Sequence, residues 1–314
     1  MKRPNIVTVV TPSFNQGSFI EETIKSVLTQ KGDFFIDYII MDGGSCDNTL
    51  AIIKKYEKLI RDNCSIQNKM GHKVYVSKDR KFRFNKCFGI SYRFVSKKDN
   101  GQVDALKKGF KKSKGDILCW LNSDDFYIGN GVFDKVFKYF NGDRGLKMLT
   151  TDGIFVDKEG QKTGIHHVSR INVKELLYLD YHILQPSTFI KKEIYNEKYL
   201  NEKYVVAFDG DFFTHLILNG HKFRKTNDVL SAFRFYSENK TLGLAKKALF
   251  EEMWISWTYS KNAYLFMISF LYRYFEKVLN PKIGGNRIFA YLYAKVRSIS
   301  YRIIINQKYE ERFS

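Results

Sequence analysis

The sequence predicts an α/β fold built on a single, mostly parallel, doubly wound sheet flanked by helices. Three observations carry this. Apolar, strand-length runs at residues 5–11, 36–41, 90–95 and 117–121 alternate with stretches of helical period. Most of the links between them are short, which favours parallel neighbours in one sheet. The runs end in polar residues or glycines, and open α/β sheets collect ligands outside the carboxyl ends of their strands.

Taken in order, residues 5–11 form a β-branched run stopped by Pro12, a first buried strand. Over 17–30, Phe19, Ile20, Ile24, Val27 and Leu28 share one helical face. The run at 36–41 ends in Asp42, Gly43, Gly44 and Ser45, after which Asp47 or Asn48 caps a helix with Leu50, Ile53 and Leu59 inward. Residues 63–88 are polar and basic without a period, and read as a long loop or inserted excursion. A strand at 90–95 leads to a helix at 102–112 with Val103, Leu106 and Phe110 inside, closed by Gly115. The run Ile-Leu-Cys-Trp-Leu at 117–121 reads as a buried parallel strand, with Trp120 in the core. Beyond Thr150 follow a strand at 153–156, a turn near Gly160, helices at 173–179 and 208–218, and an edge strand at 221–226. From Lys240 the chain is helical, rich in Tyr and Phe with interleaved Lys and Arg.

Composition narrows the function classes. With 44% hydrophobic and 16% aromatic residues, the chain buries a sizeable core, which excludes disorder. Its net charge of +19 creates a field that attracts nucleic acid, anionic lipid or phosphorylated small molecules. The lysines are dispersed and no RNA- or DNA-binding motif is present, so no nucleic-acid partner is expected. Cys46, Cys64, Cys87 and Cys119 form no CxxC pair, which excludes a thiolate zinc site and fits a reducing cytosol. The N-terminus reaches a strand without a secretory signal, and the longest apolar stretch, 263–272, ends at Arg273, short of the roughly 18 residues a span needs. A cytoplasmic protein is expected. Its basic, aromatic tail either packs on the domain before it or lies peripherally on the inner face of the plasma membrane.

Four segments set polar groups at strand ends: 11–16, 42–45, 97–102 and 122–125. Asp124 and Asp125, beside Asn122 and Ser123, offer hard oxygen donors that suit a divalent cation carrying a phosphate. The alternative is a solvated strand-to-helix turn, with an Asp capping a helix that starts near Asn130. Gly43 and Gly44 permit close backbone approach. No GxGxxG or Walker sequence is present.

In these segments the chain resembles the family-two glycosyltransferases of GT-A fold, over approximately residues 4–235. The resemblance rests on Val-Thr-Pro-Ser-Phe-Asn at 10–15, Ile-Met-Asp-Gly-Gly-Ser-Cys-Asp-Asn-Thr at 40–49 and Lys-Asp-Asn-Gly-Gln-Val-Asp-Ala-Leu-Lys-Lys-Gly at 98–109. It continues in Gly-Asp-Ile-Leu-Cys-Trp-Leu-Asn-Ser-Asp-Asp at 115–125, Gln-Pro-Ser-Thr-Phe at 185–189 and Phe-Asp-Gly-Asp-Phe-Phe at 208–213. Each is short, but together they follow the family's order.

The resemblance implies a catalytic domain over 1–235, with a nucleotide-sugar half at 1–125 and an acceptor half at 126–235, and a helical extension over 236–314. It implies inverting transfer from a nucleotide-sugar donor, a UDP-sugar first, to a hydroxyl of a glycan or lipid-linked glycan, assisted by Mn2+ or Mg2+, in bacterial-type surface polysaccharide synthesis. Thr11, Pro12, Ser13 and Asn15 match the segment lining the nucleoside, and Asp42 a carboxylate for the base or ribose. Many members carry a second Asp where Gly43 stands. Asp99 and Gln102 match the loop closing over the donor. Asn122, Ser123, Asp124 and Asp125 match the metal motif, with Asn122 at its first carboxylate position. Asp209 matches the base that takes the acceptor proton, with Asp211 a near rival; a helix-start charge pair is the alternative for both. His182 and Gln185 border the acceptor. His166 and His167, adjacent in a strand, point to opposite faces and read as surface turn. Trp254 and Trp257 have the spacing of helix packing. The competing readings are a nucleotidyltransferase and an inactive nucleotide- or glycan-binding relative.

Overall fold

Along the chain run β1 (Ile6–Ser13), α1 (Ile20–Leu28), β2 (Lys31–Asp42), α2 (Thr49–Asn63), β3 (Cys64–Lys69), β4 (His72–Ser77), β5 (Lys86–Ser96), α3 (Gln102–Lys111), β6 (Ile117–Trp120) and β7 (Phe126–Tyr127). Then come α4 (Val132–Gly142), β8 (Met148–Val156), β9 (Lys162–His166), α5 (Val173–Tyr178), β10 (Thr188–Lys191), α6 (Phe208–Leu218), β11 (Phe223–Arg234), α7 (Ala245–Ser260), α8 (Ala263–Tyr274) and α9 (Arg287–Asn306). The computed structural model describes residues 5–69, 72–79, 82, 84, 86–168, 173–179, 183–236, 243–275 and 287–306.

The strands form one sheet in the order β3-β4-β5-β2-β1-β6-β10-β8-β11-β7, with β9 paired to β8. Its centre, β5-β2-β1-β6, is parallel, as the alternation of elements predicts. From β1 the chain moves to β2 and on to β5, then returns to β6 on the other flank of β1. The strand order therefore reverses between β1 and β6, the kind of switch point that opens a ligand crevice. Ser13 stands opposite Asp42, Asp42 opposite Ser96, and Val10 opposite Trp120, which brings four carboxyl ends to one rim.

Alternation decides what each face buries. Val7 and Val9 of β1 and Ile36, Tyr38 and Ile40 of β2 meet Ile20, Ile24 and Val27 of α1, Ile53 and Ile60 of α2, and Phe133 and Phe137 of α4. On the other face α3 comes so close that a Cβ on Gly109 would lie 2.5 Å from Val10 Cγ1. A buried charge sits midway along β2: Asp37 accepts from Thr8 Oγ1 and the Lys114 backbone N–H, both at 2.9 Å, and pairs with Arg93.

Several expectations are corrected. Residues 63–88 are not a loop: β3 and β4 form a hairpin that joins the sheet through β5. The hairpin is an edge, with β3 largely solvated, so it carries no apolar alternation to read. Gly115 does not close α3, which ends at Lys111; its N–H donates to Thr8 Oγ1, and a Cβ there would lie 2.5 Å from the Thr8 backbone nitrogen. The predicted edge strand extends to Arg234 and pairs with β8 on one side and with β7 at Ser231 and Ala232 on the other. Register shifts at Thr226, Val229 and Ser231 break the period that would have signalled its length. No Asp caps α4, whose N-cap is Gly131.

Two compact units divide the residues. The first holds Met1–Val168, Ile183–Glu202 and Gly220–Phe235, and contains every strand described above. The second holds Ser169–His182, Lys203–Asn219 and Tyr236–Ser314. One boundary falls between residues 235 and 236, and the second unit also takes in 169–182 and 203–219. Within the second unit, Leu177, Tyr178 and Leu179 after the start of α5 bury against Leu265 and Tyr272 of α8 and Ile304 of α9. Among the described residues no helix is long and apolar enough to cross a membrane.

Candidate active site

The loops after β1 and β2 are stitched together by side chains. Asn15 holds φ +53°, a left-handed conformation that Asn tolerates. Its side-chain oxygen accepts from the Cys46 N–H at 2.9 Å, and its own N–H donates to Ser45 Oγ at 2.8 Å. The Gln16 N–H donates to Thr49 Oγ1 and the Gly17 N–H to Asp47 Oδ2. Asn15 thus shapes the loop rather than presenting a free carboxamide. Thr11 is buried, its hydroxyl 3.2 Å from Tyr38 Oη, so its side chain faces the core; Pro12 is also buried.

Two polar atoms here stand out. Ser13 Oγ and Gln16 Oε1 are buried with no hydrogen-bond partner among the described residues. An orphan of this kind costs roughly 1–3 kcal/mol unless something binds it. Asp42, 2% exposed, accepts from Ser45 Oγ, the Ser45 N–H and Ser96 Oγ. A carboxylate accepts about four such bonds, so one position remains. Gly43 leaves room for Asp99, whose Oδ2 would lie 3.1 Å from a Cβ at position 43. Asp99 Oδ1 also accepts the Gly101 N–H at 2.8 Å.

At the end of β6, Asn122 joins three segments. Its Oδ1 accepts from Gln102 Nε2 at 2.8 Å, and its Nδ2 donates to Gln185 Oε1 at 3.1 Å and Asp125 Oδ2 at 3.3 Å. Gln185, 5% exposed, donates onward to the Trp120 carbonyl at 2.7 Å. The side chain expected to border an acceptor therefore anchors β6. Ser123 is buried.

The two aspartates part company. Asp125 is 1% exposed, and its Oδ1 accepts the Arg234 backbone N–H at 3.0 Å while Oδ2 takes Asn122. Burial, and then the neighbouring Asp124 charge, pushes its pKa well above the usual carboxylate range. Each Asp125 oxygen thus accepts one hydrogen bond and keeps a second lone pair, beside the Asp124 charge. Asp124 is half-buried, and its carbonyl accepts from Arg234 Nε at 2.9 Å. The guanidinium of Arg234, 2% exposed, also donates to the Asp157 and Lys158 carbonyls, pairs with Glu22 and stacks near Phe19 and Phe126. Sequence reading missed Arg234. Its signal is a lone cation inside the apolar run Leu-Ser-Ala-Phe-Arg-Phe at 230–235.

In the second unit, Asp209 and Asp211 occupy the first turn of α6. Asp211 is buried and accepts from Tyr259 Oη at 2.8 Å. Asp209 is half-buried, its Oδ1 accepting from the Gly210 N–H at 2.8 Å. The same tyrosine oxygen lies 3.2 Å from His215 Nδ1, and burial lowers the His215 pKa. Because the tyrosine proton goes to Asp211, Nδ1 is the donor in that contact. His182 lies outside the described residues. His167 is not a bare surface turn: its Nδ1 lies 2.7 Å from the buried Asp152 Oδ2.

Among the described residues no cluster of three or more His, Cys, Asp or Glu side chains is arranged to hold a metal. Mg2+ and its like often take one or two carboxylates and complete their shell with phosphate and water. The half-buried Asp124, with the buried Asp125 beside it, fits that arrangement.

A parallel sheet with this polar apparatus at its switch point defines the GT-A class of fold. A family model of glycosyl transferase family 2 matches residues 8–203, and the chain belongs to that family. Among curated relatives, the putative teichuronic acid biosynthesis glycosyltransferase TuaG of Bacillus subtilis (strain 168) is 28% identical over 120 residues, covering 38% of this chain and 36% of TuaG. The chain matches 40% or less of the length of its first curated relatives. S. aureus TarS 1-349 in complex with UDP-GlcNAc shares the fold at TM-score 0.58 and 13% identity, covering 95% of this chain and 81% of that one. The mannosyltransferase PcManGT from Pyrobaculum calidifontis, solved with GDP-Man and Mn2+, does so at TM-score 0.57 and 13% identity, covering 96% and 81%.

Proposed function

We propose that the chain is an inverting glycosyltransferase. It moves a sugar from a nucleoside-diphosphate donor, a UDP-sugar first, to a hydroxyl of a glycan or lipid-linked glycan of the cell envelope. The observation that carries the reading is the rim at the β1/β6 switch point, where Ser13 Oγ and Gln16 Oε1 have no hydrogen-bond partner among the described residues and the half-buried Asp124 is fixed through its carbonyl by Arg234. UDP-GlcNAc on TarS supports uracil as the base to try first, and the name of TuaG supports an envelope polysaccharide as the product.

In this reading Ser13 and Gln16 bind the nucleoside, and the remaining acceptor position of Asp42 takes a base imide or ribose hydroxyl. Asp99 and Gln102 border the donor from the start of α3. Asp124 would hold Mn2+ or Mg2+, which as a Lewis acid stabilises the charge on the departing diphosphate. Single displacement needs a base opposite the leaving group. Asp209 takes that role, because Asp211 is buried and committed to Tyr259. The acceptor hydroxyl gives its proton to the Asp209 carboxylate as its oxygen attacks the anomeric carbon.

Contact with an anionic membrane through α7 and α8 belongs to the same reading. Phe250 and Trp254 are 67% and 62% exposed, and with Trp257 they share one face of α7 with Lys247, while the exposed Lys261 caps the helix end. Such a face suits lipid headgroups, where a lipid-linked acceptor waits.

The test is turnover of UDP-sugars with Mn2+ in wild-type and Asp209→Asn proteins. The variant should bind UDP as wild type while kcat falls by about a hundredfold or more. Undiminished turnover would remove Asp209 from the mechanism.

A further inference from the structure

We infer that Glu251 of α7 is a positioning residue for the proposed base: its carboxylate clamps the start of α6 and fixes the turn that presents Asp209. The inference rests on the reading of Asp209 given above. It makes the C-terminal helices part of the reaction apparatus and not an appendage.

Backbone N–H groups in the turn that enters a helix, the N-cap's included, have no partner within the helix and need an acceptor from elsewhere when buried. The segment entering α6 is Val205, Val206 and Ala207, which has no Ser, Thr, Asp or Asn to serve, and Ala207 makes no side-chain cap. Glu251 supplies what is missing. Its Oε1 accepts the Val205 N–H at 2.8 Å, and its Oε2 accepts the Val206 and Ala207 N–H groups at 2.8 and 2.9 Å. Glu251 is itself 8% exposed, so these bonds are sheltered from water, and an anion at a helix N-terminus also gains from the helix dipole. Farther along α7, Tyr259 donates to Asp211 Oδ1 at 2.8 Å. One helix thus holds the α6 turn on both sides of Asp209: through the backbone at 205–207 and through the side chain at 211. A base must meet its proton within a few tenths of an ångström, and a turn free to rock would lose rate before it lost substrate affinity.

Two measurements on the full chain test this. Amide exchange should find 205–207 protected in the wild-type protein and at least about tenfold faster in Glu251→Gln, with the β1 amides unchanged. Turnover of UDP-GlcNAc with Mn2+ should lose about tenfold in kcat in Glu251→Gln, with KM for UDP-GlcNAc within about twofold. Combined with Asp209→Asn, Glu251→Gln should cost nothing further, because it acts through that side chain. Unprotected amides in the wild-type protein overturn the clamp, and where the variant does not fold this measurement decides alone. Wild-type kcat in Glu251→Gln, or a loss fully additive with Asp209→Asn, overturns the positioning role while leaving the base in place. Full turnover in Asp209→Asn instead overturns the base. A wild-type chain that turns over no UDP-GlcNAc speaks against that donor, and the exchange result still decides the clamp.

Discussion

Arg234 shows how one side chain can hold a motif without touching a ligand. Its guanidinium satisfies the carbonyls of Asp124, Asp157 and Lys158, and its backbone N–H satisfies the Asp125 carboxylate. Removing a buried, fully bonded cation leaves its acceptors stranded, so Arg234→Ala should cost roughly 3–5 kcal/mol in denaturant unfolding. A loss below about 1 kcal/mol would show that the turn after β6 holds itself. The residues of this turn were legible as a group in the sequence, but their directions were not. Asp124 and Asp125 read as a pair because they are adjacent, yet Asp124 is half-buried while Asp125 is buried against the Arg234 N–H and Asn122. Thr11 and Gln185 matched functional positions, but register and the end of β6 turn their polar atoms to Tyr38, Trp120 and Asn122. Which way a strand-end side chain points depends on partners far along the chain, such as Gln185 lying 63 residues from Asn122.

At the scale of elements, the parallel centre was legible because each of its strands holds a short apolar run, buried throughout in β1, in the second part of β2 and in β6, and each helix carries one apolar face. The β3-β4 hairpin and the far half of β11 were not, since solvation and register shifts remove the period on which such reading depends. Gly115 is a case where the residue was noticed for the wrong reason. It permits the α3–β6 link to pass against β1, where a Cβ would meet the Thr8 nitrogen at 2.5 Å and the Ile6 oxygen at 2.8 Å. Backbone cannot step aside as a side chain does. Gly115→Ala should therefore destabilise by about 1–3 kcal/mol, whereas Gly142→Ala, in the last turn of α4 with nothing within 4 Å, should be near neutral. Equal melting temperatures for the two variants would contradict the close approach.

Over the whole molecule, the charge of +19 finds a use in both halves of the proposal, drawing in a diphosphate and an anionic surface. The membrane part has its own check. The chain should cosediment with vesicles containing anionic phospholipid and release them in high salt, and replacing Phe250 and Trp254 by Ser should weaken binding by roughly tenfold or more. Salt-independent pelleting, or none, would contradict it. The deeper claim is that a nucleoside diphosphate and a divalent cation meet at the β1/β6 rim, with Asp124 as the protein's metal ligand. Titration of UDP by calorimetry, with and without Mn2+, tests it most directly. In wild-type protein Mn2+ should tighten UDP binding by about tenfold or more, and in Asp124→Asn that gain should vanish while metal-free binding persists. Equal Mn2+ dependence in both proteins, or no UDP binding to either, would contradict the account.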